Sequence, residues 1–358
     1  MKRPHLVHFI SLASQTSINI RASLTLAEKS KLSIFDSAVA PNSLTTPRQS
    51  LGLLSRQHFR MKIVGLNVYG DQIFSKVFNS DSFGNFTFKI PQGEQNGKIA
   101  HLLAFETSFY SGLEIHLGAF IPIKVERPLK LVISDFDKTL VDTRYSSAKD
   151  LYRSLNRPLS YFPRVDASID LIRGYINSGH QPFILTASPH FYENALRDWL
   201  YKNEIFTAGI FLKDYRHVFS FDDGLLTTKD IKNQGFYKLN HLVNILLLTG
   251  IPEELVLMGD GFESDMLIYK SLALLLKDEV EPWTLWNKLR GLGPFQLTTK
   301  QNSRFLNKIY QLDSLLKSSG SPDPLITIHI RCKKEMELPK MPLEIFNRAK
   351  VDVRRYQA

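Results

Sequence analysis

A single cysteine, Cys332, stands among the 358 residues, so no intrachain disulfide can form and a small secreted scaffold held by disulfides is excluded. Long apolar runs are missing as well. The most apolar stretch, Leu239 to Leu248, is interrupted by Asn240, His241 and Asn244. It falls far short of the ~20 residues a membrane span requires, so no transmembrane helix is expected. The opening MKRPHLVHFISLASQT places two basic residues before a weakly apolar stretch, but Pro4 and His8 break it and no clear small-residue cleavage site follows. No internal repeat or heptad is visible. Acidic residues are in deficit, 35 against 45 lysines and arginines, and the net charge of +10 favours phosphorylated substrates, nucleic acid or acidic lipid headgroups. With 43% hydrophobic and 22% charged residues the chain is globular in composition, which excludes wholesale disorder, and its length suits two domains.

Residues 1–58 mix Ser, Thr, Arg and Gln with short apolar pieces, and no element is assigned to them. Residues 59–126 read as a small all-β domain, because MKIVGLNVYG, IFSKVF, HLLAFETSF and LEIHLGAFIPIKV are separated by turn-forming clusters. Asp81 to Asn85 reads as a tight turn with Gly84 free to take a positive φ, followed by Phe86, Phe88 and Ile90 alternating with polar residues. About five to seven strands of this kind make a small sandwich. From 127 to 335 the rhythm is strand, helix, strand. The apolar runs LKLVIS, PFILTA and ELVLMG each end in a polar cluster, as strands of a buried parallel sheet do. The helix ASIDLIRGYINSG between them presents Ile169, Ile172, Tyr175 and Ile176 on one face and can end at Gly179. The fold class is therefore α/β, with a doubly wound parallel sheet preceded by a small sandwich-like domain, a helical insertion near 272–323 and a tail at 336–358. Ligands of such sheets sit at the carboxyl ends of the strands.

Three strand ends carry chemistry. Asp135-Phe136-Asp137-Lys138-Thr139 follows LVIS, and two carboxylates one residue apart in extended chain point the same way. Asp135 can attack phosphorus to form an aspartyl phosphate, and Asp137 can protonate the leaving oxygen and then activate water. A solvated acidic turn is the bland alternative. PFILTAS ends at Thr186, whose hydroxyl can bind a phosphoryl oxygen, with Ser188 and His190 as substrate contacts; a helix cap and a loop histidine are the alternatives. LVLMGDGFESD supplies Asp260 and Asp265, and more weakly Glu263, as hard oxygen ligands for magnesium together with Asp135. Either Lys232 or Lys238 can bring positive charge to the phosphoryl group.

In this order the aspartate pair, hydroxyl, lysine and acidic loop resemble the four motifs of the haloacid dehalogenase superfamily. The resemblance implies an aspartyl phosphate enzyme with Mg2+ held partly by the backbone carbonyl of Asp137. Across roughly 127–332 the chain more closely resembles the catalytic domain of the actin-patch phosphatidate phosphatase family, through ILTASPHFYENALRDWL, AGIFLKD and GDGFESDMLIY. That resemblance implies an active-site set of Asp135, Asp137, Thr186, Lys238, Asp260 and Asp265. Lys238 is preferred to Lys232 because its distance from Asp260 fits the family spacing. Two departures stand out: Lys138 occupies a position that is usually acidic in the family, and residues 272–323 separate the fourth motif from LITIHIRC, read as the last strand. Trp283, Trp286, Phe295 and Tyr310 in that insertion suit either a cover over the site or core packing.

The interval from Val141 to Ser178 has no room for a large cap, so an open site is expected, suited to phosphate on a large substrate or at a membrane surface. Phosphatidate, hydrolysed to diacylglycerol, is the leading substrate, for a cytoplasmic enzyme that meets anionic lipid peripherally. The alternatives are a phosphatase for nucleic-acid ends, phosphoproteins or small phosphate esters, and a membrane- or protein-binding scaffold that retains the fold. No sequence feature specifically supports nucleic acid.

Overall fold

The computed structural model describes residues 2–28, 57–92, 97–143, 159–189, 192–213, 234–295, 299–319, 323–333, 337–348 and 351–357. Eight strands precede the parallel sheet: β1 Lys2–Ala13, β2 Ser17–Glu28, β3 Arg60–Leu66, β4 Gln72–Asn79, β5 Asn85–Pro91, β6 His101–Glu106, β7 Ile115–Phe120 and β8 Ile123–Lys124. They form two four-stranded sheets, β5-β2-β1-β8 and β4-β3-β6-β7, antiparallel except where β8 runs parallel to β1. On β2 the residues Ile18, Ile20, Ala22 and Leu24 alternate onto one face and meet Met61, Ile63, Leu102 and Ala104 of the facing sheet. The Asp81 turn forms as its residue types require. Asp81 Oδ1 accepts from the amides of Phe83 and Asn85, and Gly84 takes φ +76°.

Residues 2–28, to which the sequence pattern assigns no element, are the two longest strands of this region. Two features hide them. Their hairpin turns through Ser14 to Ser17 by serine side-chain bonds rather than through a glycine. Strand β1 also buries both faces, since Ile10 and Leu12 join the core of the parallel sheet, so the alternation of polar and apolar residues is lost.

The third sheet contains β9 Lys130–Asp135, β10 Gln181–Pro189, β11 Gly209–Lys213, β12 Glu254–Asp260, β13 Leu325–Cys332 and β14 Asp352–Gln357, all parallel, in the order β11-β10-β9-β12-β13-β14. One face packs against α3 Gln234–Thr249, α4 Asp265–Leu276, α5 Pro282–Leu289 and α6 Thr299–Ser319; the other packs against α1 Asp166–Asn177 and α2 Glu193–Lys202. On β9, Leu131 and Ile133 face the first layer and Val132 faces the second. Helix α1 ends where its glycine allows: Gly179 takes φ +89° and donates to the Ile176 carbonyl. Chain order reverses between β9 and β12, and that opens a crevice at their carboxyl ends.

Two readings of the sequence change. The sheet does not end at LITIHIRC, because the expected tail adds β14 as a parallel edge strand. Its sequence DVRRYQ is charged and largely exposed, as an edge strand can be, and so lacks the apolar run that marks inner strands. Within 272–323 the core-packing alternative holds for Trp286 and Phe295, whereas Trp283 and Tyr310 are exposed. Trp286, Phe295 and Phe305 are fully buried, and the Trp286 ring packs edge-on against Phe305. Residues 144–158, on which the expectation of an open site depends, lie outside the described residues.

Candidate active site

The crevice is built on inner strands of the parallel sheet. β9 lies between β10 and β12, so Asp135 at its last position is fixed and almost wholly buried. Thr139, one turn later, donates to Asp135 Oδ2 over 3.3 Å. Asp137 is half-buried beside it, and its Oδ2 accepts from Thr186 Oγ1 at 2.9 Å and from Ser188 Oγ at 3.4 Å. The end of β10 thus orients the second carboxyl of the D-x-D pair. Both acids are raised above the ordinary aspartate value, first by loss of solvent; Lys238 opposes the rise at Asp135, and the Thr186 hydroxyl opposes it at Asp137.

Helix α3 delivers Lys238 into this pocket because Tyr237 anchors the adjacent turn. The Tyr237 hydroxyl donates to the Thr186 carbonyl at 2.6 Å. Lys238 Nζ lies 3.0 Å from Asp135 Oδ1, at an angle that makes the contact an ion pair rather than an aligned hydrogen bond. It donates to Asp265 Oδ1 at 2.5 Å and lies 3.6 Å from Glu263 Oε2. Surrounded by these acids, the ammonium group is held well above its ordinary pKa despite its burial.

The loop after β12 completes the set. Asp260 Oδ1 accepts from the amides of Phe262 and Glu263, while Asp260 Oδ2 is buried and takes no hydrogen bond from any described residue. Asp265, at the start of α4, accepts the Asp260 amide on Oδ2 and Lys238 on Oδ1, so both of its oxygens are engaged. Gly259 allows this approach. A Cβ there would stand 2.5 Å from Asp265 Oδ2 and 2.8 Å from the Tyr269 ring. Loss of solvent, then repulsion from Asp265 and Glu263, raises the Asp260 pKa to about 7.

Asp135, Asp260 and Asp265 each offer one oxygen, and these lie within 4.8 Å of one another. Asp137 and Glu263 bring the acids of the pocket to five, against the ammonium groups of Lys138 and Lys238. Excess buried negative charge and an acceptor oxygen without a donor fit a hard divalent cation such as magnesium. Asp135 and Asp260 could hold such an ion, while both oxygens of Asp265 are already engaged by the Asp260 amide and Lys238.

The structure thus brings together Asp135, Asp137, Thr186, Ser188, Lys238, Asp260 and Asp265 from the motifs, and Glu263 with them. His190 and Lys232 lie outside the described residues. Sequence reasoning missed Tyr237, and also Arg331, which donates to the Lys138 carbonyl at 2.5 Å and lies 3.3 Å from Asp142 Oδ1. A charged residue near the carboxyl end of a parallel strand was the available signal for Arg331. Tyr237 had none beyond its place next to Lys238.

The geometry defines an α/β domain with an acidic, lysine-bearing crevice at the switch point of its parallel sheet. Residues 130–283, from the first residue of β9 into α5, match the family model described as phosphatidate phosphatase APP1, catalytic domain. This supports the resemblance read from the motifs and a phosphatase of the phosphatidate phosphatase kind. No curated protein matches the chain. Among solved structures, a calcium-binding mutant of Bacteroides uniformis β-glucuronidase 2 is 8% identical over 90% of this chain and 33% of its own, with a TM-score of 0.26. Bifidobacterium dentium β-glucuronidase is 8% identical over 92% and 44%, also at 0.26. A putative β-galactosidase from Bacteroides fragilis is 9% identical over 91% and 38%, again at 0.26. The chain therefore spans less than half the length of each, and likenesses at this level carry no argument about fold or activity. No helix among the described residues is long and apolar enough to cross a membrane.

Proposed function

We propose that this chain is a magnesium-dependent phosphomonoesterase of the haloacid dehalogenase type that hydrolyses phosphatidate to diacylglycerol. One observation carries the reading: Asp135 ends the central strand against Lys238 and Asp260, inside the segment that matches the phosphatidate phosphatase catalytic domain.

Asp135 is the nucleophile. Its carboxylate, whose ionised form the Lys238 ammonium group favours against the loss of solvent, attacks phosphorus through one oxygen, the bond to the ester oxygen breaks, and the leaving oxygen takes a proton from Asp137, whose raised pKa keeps that proton available. The aspartyl phosphate is then cleaved by a water that gives its proton back to Asp137. Thr186 and Ser188 hold Asp137 in position through both steps. Lys238 stays protonated and stabilises the transferring oxygens. Asp135, Asp260 and the Asp137 carbonyl would hold the magnesium ion, with Asp265 orienting Asp260 and Lys238. When bound, the ion would neutralise the excess carboxylate charge and the phosphoryl oxygens.

The basic composition supports anionic lipid as the surface the enzyme meets, from the cytoplasmic side as a peripheral protein. Phosphate release in magnesium buffer from phosphatidate in mixed micelles, nucleic-acid ends and soluble esters is the test. Faster release from phosphatidate, with binding to anionic vesicles that weakens as salt rises, is the expected result. Turnover of soluble esters or nucleic-acid ends in preference to phosphatidate would remove the lipid assignment and leave the Asp135 chemistry standing. Vesicle binding without any hydrolysis would favour a scaffold.

A further inference from the structure

Lys138 follows the D-x-D pair and takes φ +60°, a left-handed conformation that non-glycine residues rarely adopt. Arg331 holds it there through the Lys138 carbonyl. The conformation carries the side chain across the crevice, where Nζ meets Glu263 Oε1 at 2.8 Å. The other oxygen of Glu263 faces Lys238, 3.6 Å away, and Lys238 in turn meets Asp135 at 3.0 Å. A continuous run of alternating charge therefore leads from the buried nucleophile to Lys138. Its inner members are shut off from solvent, the Lys238 and Asp135 side chains being 2% and 1% exposed. Lys138 and Glu263 are each 21% exposed and form its solvent-facing end.

We propose that Lys138 is a substrate-specificity residue, held by Glu263 at the mouth of the pocket until the phosphate dianion of a monoester displaces that carboxylate and takes up the ammonium group. The proposal rests on the phosphatase reading above and assigns the residue that selects a dianionic monoester over a monoanionic diester. Glu263 and an incoming phosphate compete for one ammonium group. The phosphate carries the larger charge, and Glu263 keeps Lys238 as a partner after the exchange, so the exchange leaves no buried charge unpaired. The flexible lysine stem allows the short movement required. No covalent step is involved.

The test uses the full chain with magnesium, measuring KM and kcat on phosphatidate in mixed micelles and the inhibition constant of inorganic phosphate. Lys138→Met should raise both KM and that inhibition constant tenfold or more, the loss of one charge-assisted hydrogen bond, with kcat within about threefold. Lys138→Arg should recover most of the phosphate affinity. Glu263→Gln should act in the opposite direction and tighten phosphate, because it releases Lys138 from its competitor. Lys138→Met with unchanged KM and phosphate inhibition, or with a loss confined to kcat, overturns the proposal. So does a Glu263→Gln variant that weakens phosphate as strongly as Lys138→Met. A wild-type protein that neither releases phosphate from any ester nor is inhibited by phosphate sinks the phosphatase reading itself, whereas an active wild type indifferent to Lys138 sinks only this one.

Discussion

Glu106 in the N-terminal strands and Asp260 at the end of β12 are both fully buried acids, yet their surroundings differ in kind. Glu106 is saturated by nearby donors, the amides of Ser108 and Phe109 and the Ser108 hydroxyl, with the Arg60 amide at 3.4 Å. Asp260 has two amides on one oxygen and no hydrogen bond from any described residue on the other, and loss of solvent, with Asp265 and Glu263 close by, raises its pKa to about 7. A buried acid that holds a fold together is fully paired. One that keeps a lone pair free among like charges costs stability, and that arrangement is what a catalytic or metal-binding group requires.

The largest effect should come from the proposed nucleophile. Asp135→Asn keeps the shape of the side chain and should lower kcat by a factor on the order of a thousand or more, with the melting temperature held or raised. Phosphate release above about a tenth of wild type, equivalent to only ~1.4 kcal/mol of barrier, would remove Asp135 from that role.

Next comes Asp260→Asn, expected to weaken magnesium binding and turnover by about a hundredfold while leaving the chelated protein at least as stable as wild type. Titration calorimetry with magnesium and a melt in chelator measure the two halves separately. Full activity after thorough chelation would dismiss the metal assignment.

Glu106→Ala should do the reverse, losing ~1–3 kcal/mol of stability by stranding its donors without changing kcat. Denaturant unfolding monitored beside activity decides this. A Glu106 variant of wild-type stability would break the contrast between the two acids.

The smallest effect is in the pH dependence of the chelated protein. Folded Asp260 titrates near pH 7 against an ordinary value of 3.8, so between those limits the folded state binds more protons than the unfolded one. Stability should therefore fall as pH rises through that window and level off above about pH 7. Asp260→Asn should flatten part of the slope, and magnesium should oppose the fall by binding the ionised form. Melting curves that rise over the same window would show that Asp260 is not held protonated.

The apolar runs of β9, β10 and β12 and the polar residues at their ends were legible in the sequence, because strands buried on both faces are continuous apolar runs and the chemistry sits at their last residues. Asp135, Thr186 and Asp260 could be placed that way, and the Asp81 turn announced itself by residue type. Strands β1, β2 and β14 were not placed. β1 lacks alternation because two different cores claim its two faces, β2 alternates but follows a turn with no glycine to mark it, and β14 is an edge with little apolar surface to show. Tertiary structure alone decided which groups pair across the crevice. Tyr237 on the Thr186 carbonyl, Arg331 on Lys138, and Glu263 between two lysines join residues separated by 51, 193, 125 and 25 positions. No local propensity encodes such contacts. They arise where packed helices and strands bring hydrogen-bonding groups together away from water, and burial then requires each group to find a partner or to remain free for a ligand.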